Sequence, residues 1–175
     1  MMSNSSKTLI HTALLCEAQT LIQFLKLHKI NSNLYENEKY SLVISGIGKL
    51  ATQKYLTKIL QKQKFNKAIN IGIAGCQDET IAIGTLFCTT HKSLENIPYA
   101  TLSTVDIALN CKKKLTTLLA DMEAKYFIQI CETFVAHENI YCLKIVSDYL
   151  SSDIPKKAFV TTLVQKNLPL IKEIL

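Results

Sequence analysis

The chain contains no arginine, since all 20 of its basic residues are lysine. Arginine is the usual bidentate clamp for phosphate, so its absence weighs against a phosphate-handling site. No apolar run approaches the roughly 18 residues that a membrane span needs, which argues against a membrane partner. The opening MMSNSSK is a short polar tail followed directly by TLIHTALL, with no cleavage-site pattern, so no export signal is expected. No CxxC pair occurs among the six cysteines, Cys16, Cys76, Cys88, Cys111, Cys131 and Cys142. They are scattered, mostly through apolar segments, which predicts reduced core thiols and a cytoplasmic protein rather than a disulfide frame or a zinc site.

Glycine is also scarce. Four of the five glycines fall in SGIGK (Gly46, Gly48) and GIAGC (Gly72, Gly75), and Gly84 stands apart. SGIGKL lacks the GxxxxGK[ST] spacing of a nucleoside triphosphatase loop, and GIAG is too short for the GxGxxG dinucleotide fingerprint. Both motifs follow apolar runs and are expected to be tight strand-to-helix turns.

What is present describes one globular α/β domain over residues 1–175, with residues 1–7 as a polar tail. Apolar residues make up 48% and charged residues 19%, with a net charge of +6. The lysines are spread over presumed helix surfaces (Lys54, Lys58, Lys62, Lys64, Lys67) with one cluster at Lys112 to Lys114. No aromatic residues interleave with them, so a solvated face is expected and no nucleic-acid partner.

Strands are expected at Thr8 to Leu15, Tyr40 to Ser45, Lys67 to Ile73, Ile81 to Thr90, Tyr99 to Val105, Leu115 to Ala120 and Ile140 to Val146. Helices are expected at Glu17 to Lys29, Lys49 to Lys64, Met122 to Phe134 and Pro155 to Lys172. This alternation predicts a mostly parallel sheet. Asp148 lies just past the last strand, where carboxyl ends of parallel strands face the ligand crevice. Glu123 stands in the first turn of a helix behind Asp121, read as a cap. By position alone Glu17 serves equally as a helix start, Asp148 as a cap and Met122 as core.

Taken in order, ALLCEAQTL, VISGIGKLATQ, AINIGIAGC, IAIGTLF, LSTVD, ADMEAKYFIQIC and IVSD resemble the nucleoside phosphorylase/nucleosidase superfamily. The likeness is greatest to its methylthioadenosine/S-adenosylhomocysteine nucleosidases and futalosine hydrolases, and it spans about Thr8 to Ser151. It implies a three-layer α/β/α fold around a mixed, mostly parallel sheet, a small-molecule nucleoside as partner, no cofactor or metal, and assembly into homodimers. The chain resembles a shortened member, with only a brief connection between Cys88 and Thr101 where the family carries a long insertion.

The resemblance also implies roles. Glu17 matches the glutamate that positions and activates the attacking water, and Asp148 the general acid that assists purine departure through N7. Glu123 matches the acceptor of the ribose 2′ and 3′ hydroxyl hydrogen bonds, with Met122 against the sugar. Ile73, Ala74 and Gly75 of GIAG stand in the substrate-binding turn. Ala108 falls where an aromatic residue often stacks on the purine, and Tyr149 is a possible substitute. The implied activity is hydrolysis of a purine-type nucleoside. The alternatives are a non-catalytic nucleoside-binding or assembly relative and, third, a phosphorylase.

Overall fold

The computed structural model describes residues 7–107, 115–151 and 153–175. Ala108 and the lysine cluster at 112–114 therefore lie outside the described residues. β1 (Thr8–Thr12) is buried at all five positions, as an interior strand requires. It pairs in parallel with β4 (Tyr40–Ile44) on one side and β5 (Lys67–Cys76) on the other. β5 then pairs in parallel with β9 (Ile140–Asp148), so the four longest strands run side by side in one direction.

Among the described residues, shorter strands complete a nine-stranded mixed sheet. β2 (His28–Lys29) and β3 (Leu34–Glu36) form an antiparallel edge beside β4. Neither strand is expected from the sequence, and β2 replaces the last two residues of the expected helix Glu17 to Lys29. β6 (Leu86–Cys88) pairs antiparallel with β9. β8 (Leu119–Asp121) pairs antiparallel with the far end of β5 and in parallel with β7 (Leu102–Thr104).

α1 (Leu15–Phe24) and α4 (Lys157–Lys172) cover one face of the sheet, over a core that includes Ile10, Leu21, Ile69, Leu143 and Val164. α2 (Lys49–Leu60) and α3 (Ala124–Cys131) cover the other, over Leu9, Leu56, Phe65 and Phe127. The alternation of side chains along a strand explains the split: Leu9 faces one layer and Ile10 the other. The result is the expected three-layer α/β/α arrangement.

α1 ends earlier than its sequence pattern predicts. Lys26 adopts φ 53, the Leu27 N–H donates to the Ile22 carbonyl (3.0 Å) and the Lys26 N–H to the Gln23 carbonyl (3.2 Å). This is a Schellman termination with lysine in the left-handed position usually held by glycine. GIAG departs from expectation too. It forms no strand-to-helix turn, because β8 takes up the pairing beyond the β5–β9 bulge at Ala74/Gly75 and keeps β5 extended through Cys76.

Candidate active site

The carboxyl ends of β1, β4, β5 and β9 open on one side of the sheet, where a cavity of about 210 Å³ is lined mainly by apolar side chains. Its walls include Glu17, Ile73, Ala74, Gly75, Met122, Glu123 and Asp148, the seven residues expected to carry catalysis, contact the sugar or form the substrate-binding turn. A crevice at the carboxyl ends of parallel strands is the usual ligand position in open α/β sheets.

Glu17 sits in the first turn of α1 and is 3% exposed. Its Oε2 accepts the N–H groups of Ala13 and Leu14, both at 2.9 Å, and Oε1 accepts the Ile73 N–H at 3.1 Å. The helix-start role and the pocket position therefore coexist in one side chain. Burial raises its pKa above the ordinary carboxylate value, against the opposing pull of these N–H groups and of Lys144. Such a carboxylate is fixed in place and more basic than one in water.

Glu123 enters from the start of α3, and its Oε1 accepts the Gly48 N–H at 2.8 Å. Burial pushes its carboxyl up to about 7. Lys144 and the Gly48 N–H oppose the rise, while Asp121 and Glu17 add to it. Gly46 and Gly48 have φ 91 and 85, so the turn from β4 into α2 uses conformations that glycine adopts without strain. That turn delivers the Gly48 N–H to Glu123.

Asp148 ends β9. Its Oδ2 accepts the Ser147 hydroxyl (2.7 Å) and its Oδ1 the Ser151 N–H (3.2 Å). A β-carbon on Gly75 would stand 2.8 Å from Leu150 Cδ2 and 3.1 Å from Asp148 Oδ1. Gly75 is thus a place where the end of β9 and the segment just after it approach too closely for a side chain. Tyr149 is not among the residues that line the cavity. Its hydroxyl donates to the Ile81 carbonyl at 2.8 Å, and the ring packs with Ala74 and Phe87.

The structure adds Lys144 to the residues expected near the site and gives Asp121 a second role beside its cap. Lys144 is 1% exposed in the middle of β9, and its Nζ lies 2.7 Å from Asp121 Oδ2. Burial alone would lower its pKa. The Asp121 carboxylate outweighs that, so the ammonium is held above its ordinary value and stays charged. Asp121 does cap α3 as expected, accepting the Ala124 N–H at 2.8 Å, and it also lines the cavity as the counter-ion of Lys144. A β-carbon on Gly72 would meet Glu17 Oε1 at 3.0 Å and Lys144 Nζ at 3.3 Å, so the missing side chain lets these groups converge. A single lysine inside the apolar run from Ile140 to Val146 was the available signal, because a charge in a buried strand needs a partner.

No protein-family model and no curated protein matches the chain. Solved structures do match its fold. A methylthioadenosine/S-adenosylhomocysteine nucleosidase from Helicobacter pylori, solved with butyl-thio-DADMe-Immucillin-A, superposes with a TM-score of 0.81 at 13% identity, covering 98% of each chain. A futalosine hydrolase mutant from the same organism gives 0.79 at 13% identity, covering 97% of this chain and 98% of that one. An MTAN from Chlamydia trachomatis gives 0.76 at 16% identity, covering 97% of this chain and 100% of that one. No described helix is long and apolar enough to cross a membrane. The chain has the fold of the nucleoside phosphorylase/nucleosidase superfamily.

Proposed function

We propose that the protein hydrolyses the N-ribosidic bond of a purine-type nucleoside, with water as nucleophile. The observation that carries this reading is the convergence of Glu17, Glu123 and Asp148 on one largely apolar cavity. Cleavage of such a bond develops positive charge on the sugar and negative charge on the base. Carboxylates at the ribose and a proton donor at the base answer both. In this reading Glu17 holds and deprotonates the water, and its burial makes it the better base. Glu123 accepts the ribose hydroxyls beside Met122. Asp148 delivers a proton to N7 as the base leaves. Ile73, Ala74 and Gly75 line the wall next to the reacting bond.

Hydrolysis is preferred to phosphorolysis on two grounds. The chain has no arginine, and the Gly48 N–H at the start of α2, a natural anion donor, already serves Glu123. We take residues 1–175 as one domain acting in the cytoplasm as a homodimer. Ile47 and Ile154 line the cavity yet are 55% and 90% exposed, which supports cover by a second copy. Sedimentation as a monomer at high concentration would remove that part of the proposal.

The deciding experiment is chromatographic detection of free base after incubation with methylthioadenosine, S-adenosylhomocysteine, futalosine, adenosine and inosine, with and without phosphate. Phosphate-independent release supports the proposal. Binding without release would support the non-catalytic reading, and release only with phosphate would make the protein a phosphorylase.

A further inference from the structure

A second polar row crosses the sheet behind the cavity, on the face covered by α2 and α3, and the chemistry above makes no use of it. Cys142 on β9, Asn70 on β5, His11 on β1 and Ser45 just after β4 are all buried, and His11 is wholly inaccessible. They lie on adjacent strands, with Asn70 in register with Cys142 and His11 in register with Asn70. The Cys142 thiol donates to Asn70 Oδ1 (3.3 Å), and Asn70 Nδ2 stands 2.8 Å from His11 Nδ1. His11 Nε2 stands 2.8 Å from Ser45 Oγ, whose hydroxyl donates to the Gly46 carbonyl at 2.7 Å.

The donors fix the direction of this row. An amide nitrogen can only donate, so His11 Nδ1 accepts and the imidazole proton belongs on Nε2. The Ser45 oxygen then accepts that proton and passes its own to Gly46. Every link points the same way, toward the turn that leaves β4. The His11 ring stacks on Phe127, with centroids 5.5 Å apart and planes 14° from parallel, so it has little room to flip. Lys144 and Asp121 are the charged groups that act on it; burial and the Lys144 ammonium hold the imidazole neutral, against the pull of Asp121.

We propose that His11 is a positioning residue for the pocket: through Ser45 it fixes the Gly46 peptide, and thereby the turn that places Ile47 in the cavity wall and the Gly48 N–H on Glu123. Backbone links support the same turn, with the Ser45 N–H donating to Thr12 and the Gly46 N–H to Ala13. Those links set the path of the chain. The row adds the orientation of the Gly46 carbonyl, which the left-handed glycine would otherwise leave free. The turnover arm of this proposal rests on the hydrolase reading, whereas the arms below do not.

The test uses the intact chain. Nitrogen-15 NMR of the imidazoles should show His11 as the Nε2-protonated neutral tautomer across pH 5–8. An Nδ1-protonated ring, or one that titrates in that range, overturns the proposal. In Ser45→Ala, which removes only a hydroxyl, hydrogen exchange at the Gly48 amide should speed up by about tenfold or more while amides of β1 and β5 keep their protection. Unchanged Gly48 exchange in a folded variant overturns it. His11→Gln, which can still present an N–H near Ser45, should retain Gly48 protection that His11→Leu loses; equal loss in both refutes the donor role. If the wild type releases base, Ser45→Ala should raise KM more than it lowers kcat. A wild type that releases none bears on the hydrolase reading alone and leaves the NMR and exchange results to decide.

Discussion

Glu123→Gln should make the protein more stable at alkaline pH and leave it equally stable in acid. The side chain is 7% exposed, and its carboxyl titrates near 7 in the folded protein against an ordinary 4.5. Because the folded pKa is raised, the folded state binds the proton more tightly than the unfolded chain. The resulting stability is fully present below about pH 4.5 and is lost as the pH rises through about 7. A rise from 4.5 to about 7 corresponds to about 3 kcal/mol between those limits, taken as an upper figure. Glutamine imitates the protonated carboxyl: its Oε1 can still accept the Gly48 N–H, and it carries no charge to desolvate. Urea unfolding of both proteins should therefore give a difference near zero at pH 4.5 and a gain for the variant of about 1–3 kcal/mol at pH 8.5. A gain independent of pH, or a loss at pH 8.5, would refute the reasoning. The same substitution should weaken nucleoside binding, because the amide presents only one oxygen to the ribose hydroxyls and adds donors that face them.

Lys144→Met should destabilise the fold by about 3–5 kcal/mol in denaturant titrations, since it strands the buried Asp121 carboxylate; adding Asp121→Leu should recover part of that loss. Gly75→Ala should slow base release on the order of 10–100-fold with a small change in Tm, because the new methyl displaces Leu150 and Asp148. Asp148→Asn and Glu17→Gln should each abolish base release while circular dichroism stays native. Unchanged rates in both would remove these residues from the chemistry.

The sequence was most legible where a motif and a strand end coincide. Glu17, Glu123 and Asp148 each stand at a boundary between strand and helix or loop, where side chains leave the sheet, and all three reach the cavity. GIAG suggests a turn in the sequence because glycine ordinarily signals one. Its two glycines instead lie within β5, where they yield space to Glu17 and Lys144 on one side and to Leu150 and Asp148 on the other. That requirement comes from residues distant in sequence, and no local pattern encodes it. The C-terminal end of α1 departs from expectation for a different reason. The apolar spacing continues past Phe24, but the backbone reverses through Lys26 at φ 53, a conformation that lysine rarely adopts.

Lys144 shows why the ion pair behind the cavity is harder to read from the sequence than the cavity's walls. A lysine in an apolar strand looks like a surface exception until the partner strand is known, and Asp121 is far away in the chain. Once β5 and β9 are in register, successive rows on this face have different characters. His11, Asn70 and Cys142 form a neutral row, and one step further Gly72 and Lys144 begin a charged one that includes Glu17 and Asp121. A second cation next to Lys144 would be costly in that setting, which is consistent with His11 remaining neutral, its pKa held down to about 3. The sheet thus passes from apolar core through uncharged hydrogen bonds to ionised groups as it approaches the cavity. The buried Lys144 ammonium is paired there with the Asp121 carboxylate. Burial at the cavity is the main cause that raises the pKa of Glu17 and of Glu123, and the Lys144 ammonium, which does not line the cavity, opposes the rise in both.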